Sequence, residues 1–353
     1  MIQELHDVQA AAGATFEESD IGVTIPASFG NDAAALQAAR EGVALVDRSY
    51  WGRIQVSDSD RLRFLHNQST NNFQQLKPGQ GCDTVFVTST ARTIDLATAY
   101  VMEEVVLLLV SPNRRQYLIE WLNRYIFFAD KVKLTDVSAE TVTFTLMGPG
   151  SDALLELLGG GAIIGQPYGS HQLLQIPPMN GVRVAVGSGL ATPGYTLIVP
   201  ADAAATLWNK LVEAKAIPLG DRCWEQLRIE QGRPAAEHEL TEDYNPLEAG
   251  LWQTISFEKG CYIGQETIAR LNTYKGVKQQ LWGIRLLAPV EPGSVVMIGD
   301  EKVGKLTSYA ETDQGAFGLA YIRTKAGGAG LKVKVGEIEG EIVDVPFLTH
   351  IPQ

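Results

Sequence analysis

A cysteine two residues after a lysine is the strongest chemical signal in this sequence. The run from 258 to 266 reads EKGCYIGQE. An ammonium near a thiol favours the thiolate, and glycines on both sides let the backbone turn tightly and approach a ligand. If Cys261 is exposed, the run predicts a nucleophilic or redox-active thiol. Its residue types alone favour a buried structural cysteine, since free cysteine is often a small core residue.

An irregular stretch comes before this run and must help to position it. Residues 232–249 are polar and contain Pro234 and Pro246. Loops of this length in compact domains are usually functional or disordered. A helix capped by Asp221 leads into the stretch. This irregular stretch leads directly into the run that contains Cys261.

The chain before residue 278 mixes helices with runs typical of antiparallel strands. Residues 31–42 predict a helix that ends at Gly42. The β-rich runs between 84 and 110 have short breaks, which favour antiparallel pairing over crossover units. The remaining pattern of strands, helix and strands is typical of an α+β layer.

The pattern changes after Lys278 to short strands separated by glycine and proline turns. This change predicts a small β-barrel or sandwich. We therefore expect a domain boundary near residue 278, with one region over 1–277 and a C-terminal domain over 278–353.

Composition limits the function classes. The formal net charge of −12 opposes binding to nucleic acid or to anionic bilayers, and the longest apolar run is too short to span a membrane. No targeting segment is evident, so a cytoplasmic location is expected. The cysteines and histidines have no metal-ligand spacing, which predicts no metal site. No heptad pattern indicates a dimer, so we expect a monomer.

The run at 258–266 matches the K-G-C-[FY]-x-G-Q-E signature of the YgfZ-type folate-binding proteins, relatives of the glycine-cleavage T-protein. Residues 41–81 resemble the amino-terminal T-protein pattern, and LRIEQGRP with NPLEAGLW resembles its later part. The resemblance implies an α+β fold: a three-domain T-protein-like ring with a C-terminal small β-barrel. Residues 1–277 would form the folate-binding, aminomethyltransferase-like region as two interleaved α+β subdomains.

The resemblance also implies a function and its cofactor. Tetrahydrofolate, or a one-carbon derivative, would sit in the central hole of the ring. The protein would assist maturation or repair of iron-sulfur enzymes, including ones that modify tRNA. Its partners would be folate and iron-sulfur client or assembly proteins. By the same resemblance Lys259 and Cys261 form the functional pair, and Arg228 contacts folate. Arg228 could instead be a solvated helix residue paired with a neighbouring carboxylate.

A folate needs an apolar slot for its rings and cations for its glutamate tail. Candidate walls of the slot are Tyr50, Trp51 and Trp252. Candidate partners of the tail are Arg228, Arg270 and Lys275. Any one of these aromatic residues is more often simple core packing, so only the set is informative.

The sequence departs from the transferase at two places. The T-protein strand carries paired aspartates, one of them catalytic, whereas residues 92–96 keep only Asp95, which could also be an outward strand residue. The T-protein glutamate that holds the pterin has no counterpart in residues 189–195. Both losses argue against ordinary glycine-cleavage chemistry.

Three hypotheses therefore compete. The first is a folate-using iron-sulfur maturation factor with Cys261 as its key thiol. The second is a folate-dependent aminomethyltransferase or related demethylase with Asp95 as general base. The third is a non-catalytic folate-sensing scaffold. The sequence leaves open whether the chain is an enzyme.

Overall fold

The computed structural model describes residues 2–350. Its contacts define two compact units, each built from several stretches of chain. The stretches of unit 1 are residues up to Phe64, Gln74–Asp83 and Ala97–Trp224. The stretches of unit 2 are Leu65–Phe73, Thr84–Leu96 and the chain from Glu225. The expected division at 277/278 falls inside unit 2 and stays a prediction.

Within residues 2–350 the helices are α1 (Ile2–Ala11), α2 (Asp32–Glu41), α3 (Arg61–Gln68), α4 (Arg115–Asn123), α5 (Ser151–Leu157), α6 (Ala204–Glu213), α7 (Asp221–Gln231) and α8 (Gln265–Thr273). The strands that precede α6 are β1 (Thr15–Glu18), β2 (Thr24–Ser28), β3 (Ala44–Asp47), β4 (Gly52–Ser57), β5 (Gly81–Val87), β6 (Thr93–Val101), β7 (Val105–Val110), β8 (Lys133–Asp136), β9 (Thr141–Met147), β10 (His171–Ile176), β11 (Met179–Val186) and β12 (Gly194–Pro200). The later strands are β13 (Ile217–Leu219), β14 (Gln279–Leu286), β15 (Val295–Ile298), β16 (Glu301–Thr312), β17 (Gly315–Arg323), β18 (Lys332–Val335) and β19 (Ile338–Val343). Helix α2 confirms the prediction for residues 31–42.

A six-stranded sheet forms the main layer of unit 1, in the order β10-β11-β12-β9-β3-β13. All neighbouring strands are antiparallel except β13, which runs parallel to β3. The apolar side chains of the sheet pack with α6, where Leu207, Trp208 and Leu211 are buried. Their helical spacing places them on one stripe, which is why this segment forms an amphipathic helix.

A second sheet has the order β5-β6-β7-β4-β8. Strand β6 pairs antiparallel with β7, and β4 pairs antiparallel with both β7 and β8. The prediction of antiparallel pairing in this part of the chain is therefore confirmed for β6 and β7. Strand β6 is buried along almost its whole length, so both of its faces are covered.

The C-terminal strands of unit 2 close into a six-stranded barrel in the order β14-β17-β16-β15-β18-β19. Its interior holds fully buried aliphatic side chains, among them Ile284, Val296, Leu306 and Ile342. Closure leaves no unpaired edge. The barrel begins at Gln279, which confirms the predicted small barrel after Lys278.

The stretch between α7 and α8 contains no α-helix or long strand, and its one 3₁₀ turn spans Trp252–Thr254. An apolar cluster supports it, containing Leu247, Ile255, Tyr262 and Ile268. The predicted irregularity is thus confirmed, and the stretch is well packed. Among residues 2–350, no helix is both long enough and apolar enough to cross a membrane.

Candidate functional site

Lys259 fastens the signature loop, residues 258–264, to the end of α3. Its side chain is buried, and Nζ donates to the backbone oxygens of His66 at 2.5 Å, Ser69 at 2.7 Å and Asn71 at 2.6 Å. Carbonyls at a helix C-terminus lack partners within the helix and carry partial negative charge, so an ammonium is well placed there. Nζ also lies 4.6 Å from the ring centroid of Tyr262. The lysine therefore positions the loop.

Cys261 is an exposed free thiol on this loop. The backbone is fixed just after it, where Ile263 N donates to the oxygen of Asn67 at 3.0 Å. Gly264 follows with φ of 80°, and a Cβ there would approach the oxygen of Thr88 to 2.9 Å, so only glycine fits without strain. The buried alternative for Cys261 is wrong. Its functional pairing with Lys259 stays a prediction.

His66 lies beside the signature loop and was missed by the sequence reasoning. It is buried, and Nε2 lies 3.7 Å from the position that a Cβ on Gly260 would take. Burial, followed by the Lys259 charge, lowers the pKa of His66, and a contact with Asn72 offsets part of the shift. The imidazole next to the loop is therefore held neutral. Nothing in the local sequence pattern signals this, since α3 and the loop are distant along the chain.

Two aromatic side chains form a surface close to the loop. The rings of Trp252 and Phe257 have centroids 6.0 Å apart at 34°, and Phe257 is 42 % exposed. Trp252 packs against the cluster that contains Tyr262. Its Nε1 is buried without a hydrogen-bond partner within residues 2–350. An indole donor of this kind usually finds a partner when buried. Arg270, in the last turn of α8, is exposed.

Arg228 is buried in a different cluster of unit 2. Nε and Nη2 donate to the two carboxylate oxygens of Glu225, and Nη1 donates to Glu239 at 3.0 Å and to the oxygen of Arg233 at 2.9 Å. Nη2 also donates to Ser308. All five N–H groups of the guanidinium thus have protein acceptors. The solvated alternative is wrong, although its predicted carboxylate partner is present, and folate contact stays a prediction that would require displacing one acceptor.

The carboxylate partner Glu239 is fully buried. Burial acts to raise its pKa, but Arg228 and hydrogen bonds, including one from Ser308, hold the pKa of Glu239 below its usual value. The charged pair is therefore ionised, and the cluster ties α7 to β16. This arrangement has the features of a structural ion pair, with its charges and remaining hydrogen-bonding groups satisfied.

Asp95 lies on β6 and is fully buried. The alternative of an outward strand residue is wrong, because both faces of β6 are covered. Asp95 belongs to unit 2, as do Lys259, Cys261, Trp252 and Arg270.

Lys275, a predicted partner of the folate tail, is exposed in unit 2, whereas Tyr50 and Trp51 belong to unit 1. Trp51 is buried, with the Arg48 guanidinium 3.8 Å from its ring centroid and Trp224 packed edge-on at 6.3 Å. Tyr50 donates its hydroxyl to Asp221. Burial, followed by the Asp221 charge, raises the pKa of Tyr50 well above its ordinary value. Tyr50 also lines a pocket of about 300 Å³. Of the two, Trp51 is enclosed by packing and Tyr50 borders open space.

Comparison with known proteins identifies the family of this chain. The model of the GCVT N-terminal domain matches residues 5–259. The chain belongs to the GCVT N-terminal domain family. A chloroplastic protein of Arabidopsis thaliana, provisionally named a transferase, is 52 % identical over 326 residues, covering 92 % of this chain and 75 % of the relative. The aminomethyltransferase of Symbiobacterium thermophilum is 27 % identical over 344 residues, covering 92 % of each chain.

A solved structure shows the same fold as this GCVT-family chain. The glycine cleavage system aminomethyltransferase T from Bartonella henselae aligns with a TM-score of 0.85 at 20 % identity, covering 98 % of this chain and 97 % of that chain. The predicted T-protein-like α+β architecture with a C-terminal barrel is therefore confirmed. The predicted cytoplasmic location stays a prediction.

Within this GCVT-family fold, unit 2 presents the chemistry that the sequence singled out. An exposed thiol stands on a loop fixed by Lys259, with a neutral imidazole and an aromatic pair nearby. An exposed sulfur can act as a nucleophile or a metal ligand toward a second molecule, which a buried one cannot. The hydrogen-bonded backbone of the signature loop keeps the thiol in one place during such a reaction.

Proposed function

We propose that this chain is a YgfZ-type folate-binding protein that assists assembly or repair of iron-sulfur clusters in client enzymes. The single observation that carries the proposal is the exposure of Cys261 on a loop clamped by Lys259. Thiolates are the usual ligands of iron-sulfur clusters. A thiol held at the surface can reach a cluster or a cysteine on another protein without unfolding the loop.

Tetrahydrofolate is the proposed cofactor, and unit 2 offers groups that suit it. Trp252 and Phe257 supply aromatic surface for the flat rings, and the unpartnered Nε1 of Trp252 supplies a donor for a ring heteroatom. Arg270 supplies an exposed cation for the glutamate carboxylates. The predicted folate contacts of unit 1 stay separate predictions: Tyr50 lines a pocket of that unit, whereas Trp51 is enclosed.

Complementation of a strain that lacks its own YgfZ tests the role of the thiol. Wild type and the Cys82→Ala control are expected to restore the activity of iron-sulfur enzymes, whereas Cys261→Ala is expected not to. Cys82 is a matched control because it is another partly exposed cysteine outside the signature loop. Equal restoration by Cys261→Ala would remove the proposed role of Cys261. Calorimetry with tetrahydrofolate tests the cofactor separately.

A folate-dependent aminomethyltransferase is the second candidate function. Two observations favour it: several family relatives are named aminomethyltransferases, and Asp95 is a buried carboxylate in the stretch that resembles the aspartate-bearing strand of the transferase. A carboxylate in that place could act as general base. The test is formation of methylene-tetrahydrofolate from a lipoyl-bound donor. Turnover that Asp95→Asn abolishes would favour the transferase over the maturation factor.

A further inference from the structure

Two adjacent phenylalanines of unit 1 are exposed in the connection between α4 and β8. Phe128 is fully exposed, and Phe127 is 70 % exposed. Phenylalanine offers about 150 to 250 Å² of surface, so the two rings together expose an apolar patch of about 300 Å². Single exposed apolar side chains are normal on a protein surface, whereas a continuous patch of this size often marks a contact with another molecule.

The turn that carries these rings is already ordered. Phe127 N donates to Oδ2 of Asp130 at 2.9 Å, and Asp130 N donates back to the oxygen of Phe127 at 2.9 Å. Oδ1 of the same carboxylate accepts from Nη2 of Arg63 at 3.2 Å. The backbone of residues 127–130, the aromatic turn, is therefore fixed before any contact is made, so binding through it costs little further ordering entropy.

Exposed charges of both signs lie near the aromatic turn. A basic side is formed by Arg124, which precedes the turn, and by Lys131 and Lys133, which follow it. An acidic side is formed by Glu103 and Glu104, in the connection between β6 and β7. All five side chains are exposed, and none forms an ion pair with another residue of the described range 2–350.

Strand pairing brings the two sides to one end of the five-stranded sheet. Lys133 of β8 pairs with Ser57 of β4, and Ser57 pairs in turn with Val105 of β7. Neighbouring strands lie about 4.8 Å apart, so the Cα atoms of Lys133 and Val105 are about 10 Å apart. Glu104 directly precedes Val105. The basic and acidic sides are therefore parts of one surface, which also carries the aromatic turn.

The residues at the start of α3 hold the two sides in place. Oδ2 of Asp60 accepts from the backbone N–H of Lys131 at 2.9 Å. Nη2 of Arg61 donates to the backbone oxygen of Glu103 at 2.5 Å. Because both contacts are made to the backbone, the side chains of Lys131 and Glu103 stay available to a second molecule.

The presence of both signs decides which second molecule fits this surface. An anionic bilayer or a nucleic acid would be repelled by the acidic side, and a partner of one sign would leave one side without counter-charges. A second copy of this chain carries both signs. Twofold rotation makes an isologous interface, in which the basic side of one copy can face the acidic side of the other at two equivalent places.

The apolar area is sufficient for such an interface. Two copies together bring about 600 Å² of phenylalanine surface. Standard specific interfaces bury about 1600 Å² in total. The rings alone would therefore supply more than a third of the area, and the charged sides would form the polar rim around them.

We propose that this chain forms a homodimer through the aromatic turn and the two charged sides. In the dimer, Lys131 and Lys133 of each protomer face Glu103 and Glu104 of the other. The inference is independent of the proposed folate function. It departs from the monomer expected from the sequence, because an interface built from a turn and from charges on distant segments leaves no heptad pattern.

Sedimentation equilibrium on the full chain tests the dimer. The mass of wild type should rise from that of one chain to that of two as the concentration increases. Phe127→Ser with Phe128→Ser should weaken the association at least about tenfold, since burial of one phenylalanine alone contributes about that factor. Leu157→Ser with Leu287→Ser is the matched control: both leucines are 79 % exposed and lie outside this surface, so this variant should keep the wild-type association.

A charge exchange tests the pairing of the two sides. Lys131→Glu with Lys133→Glu places carboxylates opposite carboxylates, so this variant should associate at least about tenfold more weakly than wild type. Glu103→Lys with Glu104→Lys places ammonium groups opposite ammonium groups and should have the same effect. Mixed in equal amounts, the two variants should form a mixed dimer of near wild-type strength, because opposite charges then face each other at both places. Native mass spectrometry distinguishes the mixed dimer by its mass.

Three outcomes would overturn the proposal. A wild type that stays monomeric throughout the concentration series removes the dimer. Association that persists unchanged in the phenylalanine variant, or exchange variants that do not recover on mixing, removes the assigned surface. A monomeric wild type that binds vesicles of phosphatidylcholine and phosphatidylglycerol through Phe127 and Phe128 would identify a bilayer, and not a second copy, as the occupant.

Discussion

The ammonium of Lys259 lies 2.5 Å from the backbone oxygen of His66, the residue whose imidazole faces Gly260. Two further carbonyls, of Ser69 and Asn71, accept from the same ammonium. The lysine therefore stabilises the turn after α3 and the signature loop at once. These three hydrogen bonds of Lys259 are all donated to backbone oxygens. The charge of Lys259 can therefore influence the Cys261 thiol only through space.

The first prediction concerns this clamp. Lys259→Met keeps most of the side-chain volume but leaves buried carbonyls without a donor, so the free energy of unfolding should fall by about 3 kcal/mol. Urea denaturation measures the change. Lys334→Met is the control: this lysine is exposed on β18, and its replacement should change stability by no more than about 0.5 kcal/mol. Similar stability of the two variants would contradict the positioning role.

The second prediction concerns the reactivity of the thiols. Cys261 is exposed, whereas Cys223 is buried and has a pKa raised to about 12 by burial and by Asp32. At pH 8 a thiol with that pKa is thiolate in roughly one molecule in ten thousand. Iodoacetamide should therefore label Cys261 in the native protein long before Cys223. Peptide mass spectrometry over a time course measures both, and equal labelling in the folded protein would contradict the structure.

The third prediction concerns the buried ion pair. Arg228→Met leaves the carboxylate of Glu239 buried without its cation, which should cost about 3 to 5 kcal/mol of unfolding free energy. Adding Glu239→Gln to Arg228→Met removes the stranded charge and should recover part of the loss. A double-mutant cycle from chemical denaturation measures this coupling. Strictly additive effects would show that the two side chains do not stabilise each other.

Local sequence patterns predicted the secondary structure well where a single stretch of chain determines it. Helix α2, the irregular stretch before the signature loop and the barrel from Gln279 all follow from capping residues, periodicity and turn residues. The sequence pattern did not reveal that Asp95 is buried. Alternation of polar and apolar residues along a strand indicates burial only when one face of the strand meets solvent, whereas both faces of β6 are covered.

The candidate site was less predictable, because it depends on contacts between distant segments. The signature run identified Cys261 but could not establish its exposure. The partner of Arg228 within α7, Glu225, follows from helical spacing, whereas Glu239 lies in the irregular stretch beyond it. The role of Lys259 depends on backbone carbonyls at the end of α3 and just after it. Backbone acceptors cannot be recognised from the residue types in a sequence.

The fourth prediction concerns stability at acidic pH and rests on His171. Arg183 lies 2.9 Å from Nδ1 of His171, and because a guanidinium can only donate, Nδ1 must accept and the ring must be neutral. Burial, followed by the charge of Arg183, lowers the pKa of His171 to about 4. The ordinary pKa of histidine, about 6.5, applies to the unfolded chain.

The direction in which stability changes with pH follows from proton binding at His171. Between pH 6.5 and 4 the unfolded chain binds a proton at His171, whereas the folded chain does not. The free energy of unfolding therefore decreases as the pH falls, by up to about 3 kcal/mol in total. His171→Asn keeps an acceptor for Arg183 but cannot titrate. Its unfolding free energy should therefore depend less on pH in this window, by up to about 1.4 kcal/mol per pH unit. Gln172→Asn, a change next to His171 on β10 that removes no titratable group, should keep the wild-type slope. Denaturant titrations at several pH values measure the slopes, and an unchanged slope in His171→Asn would show that another group causes the acid sensitivity.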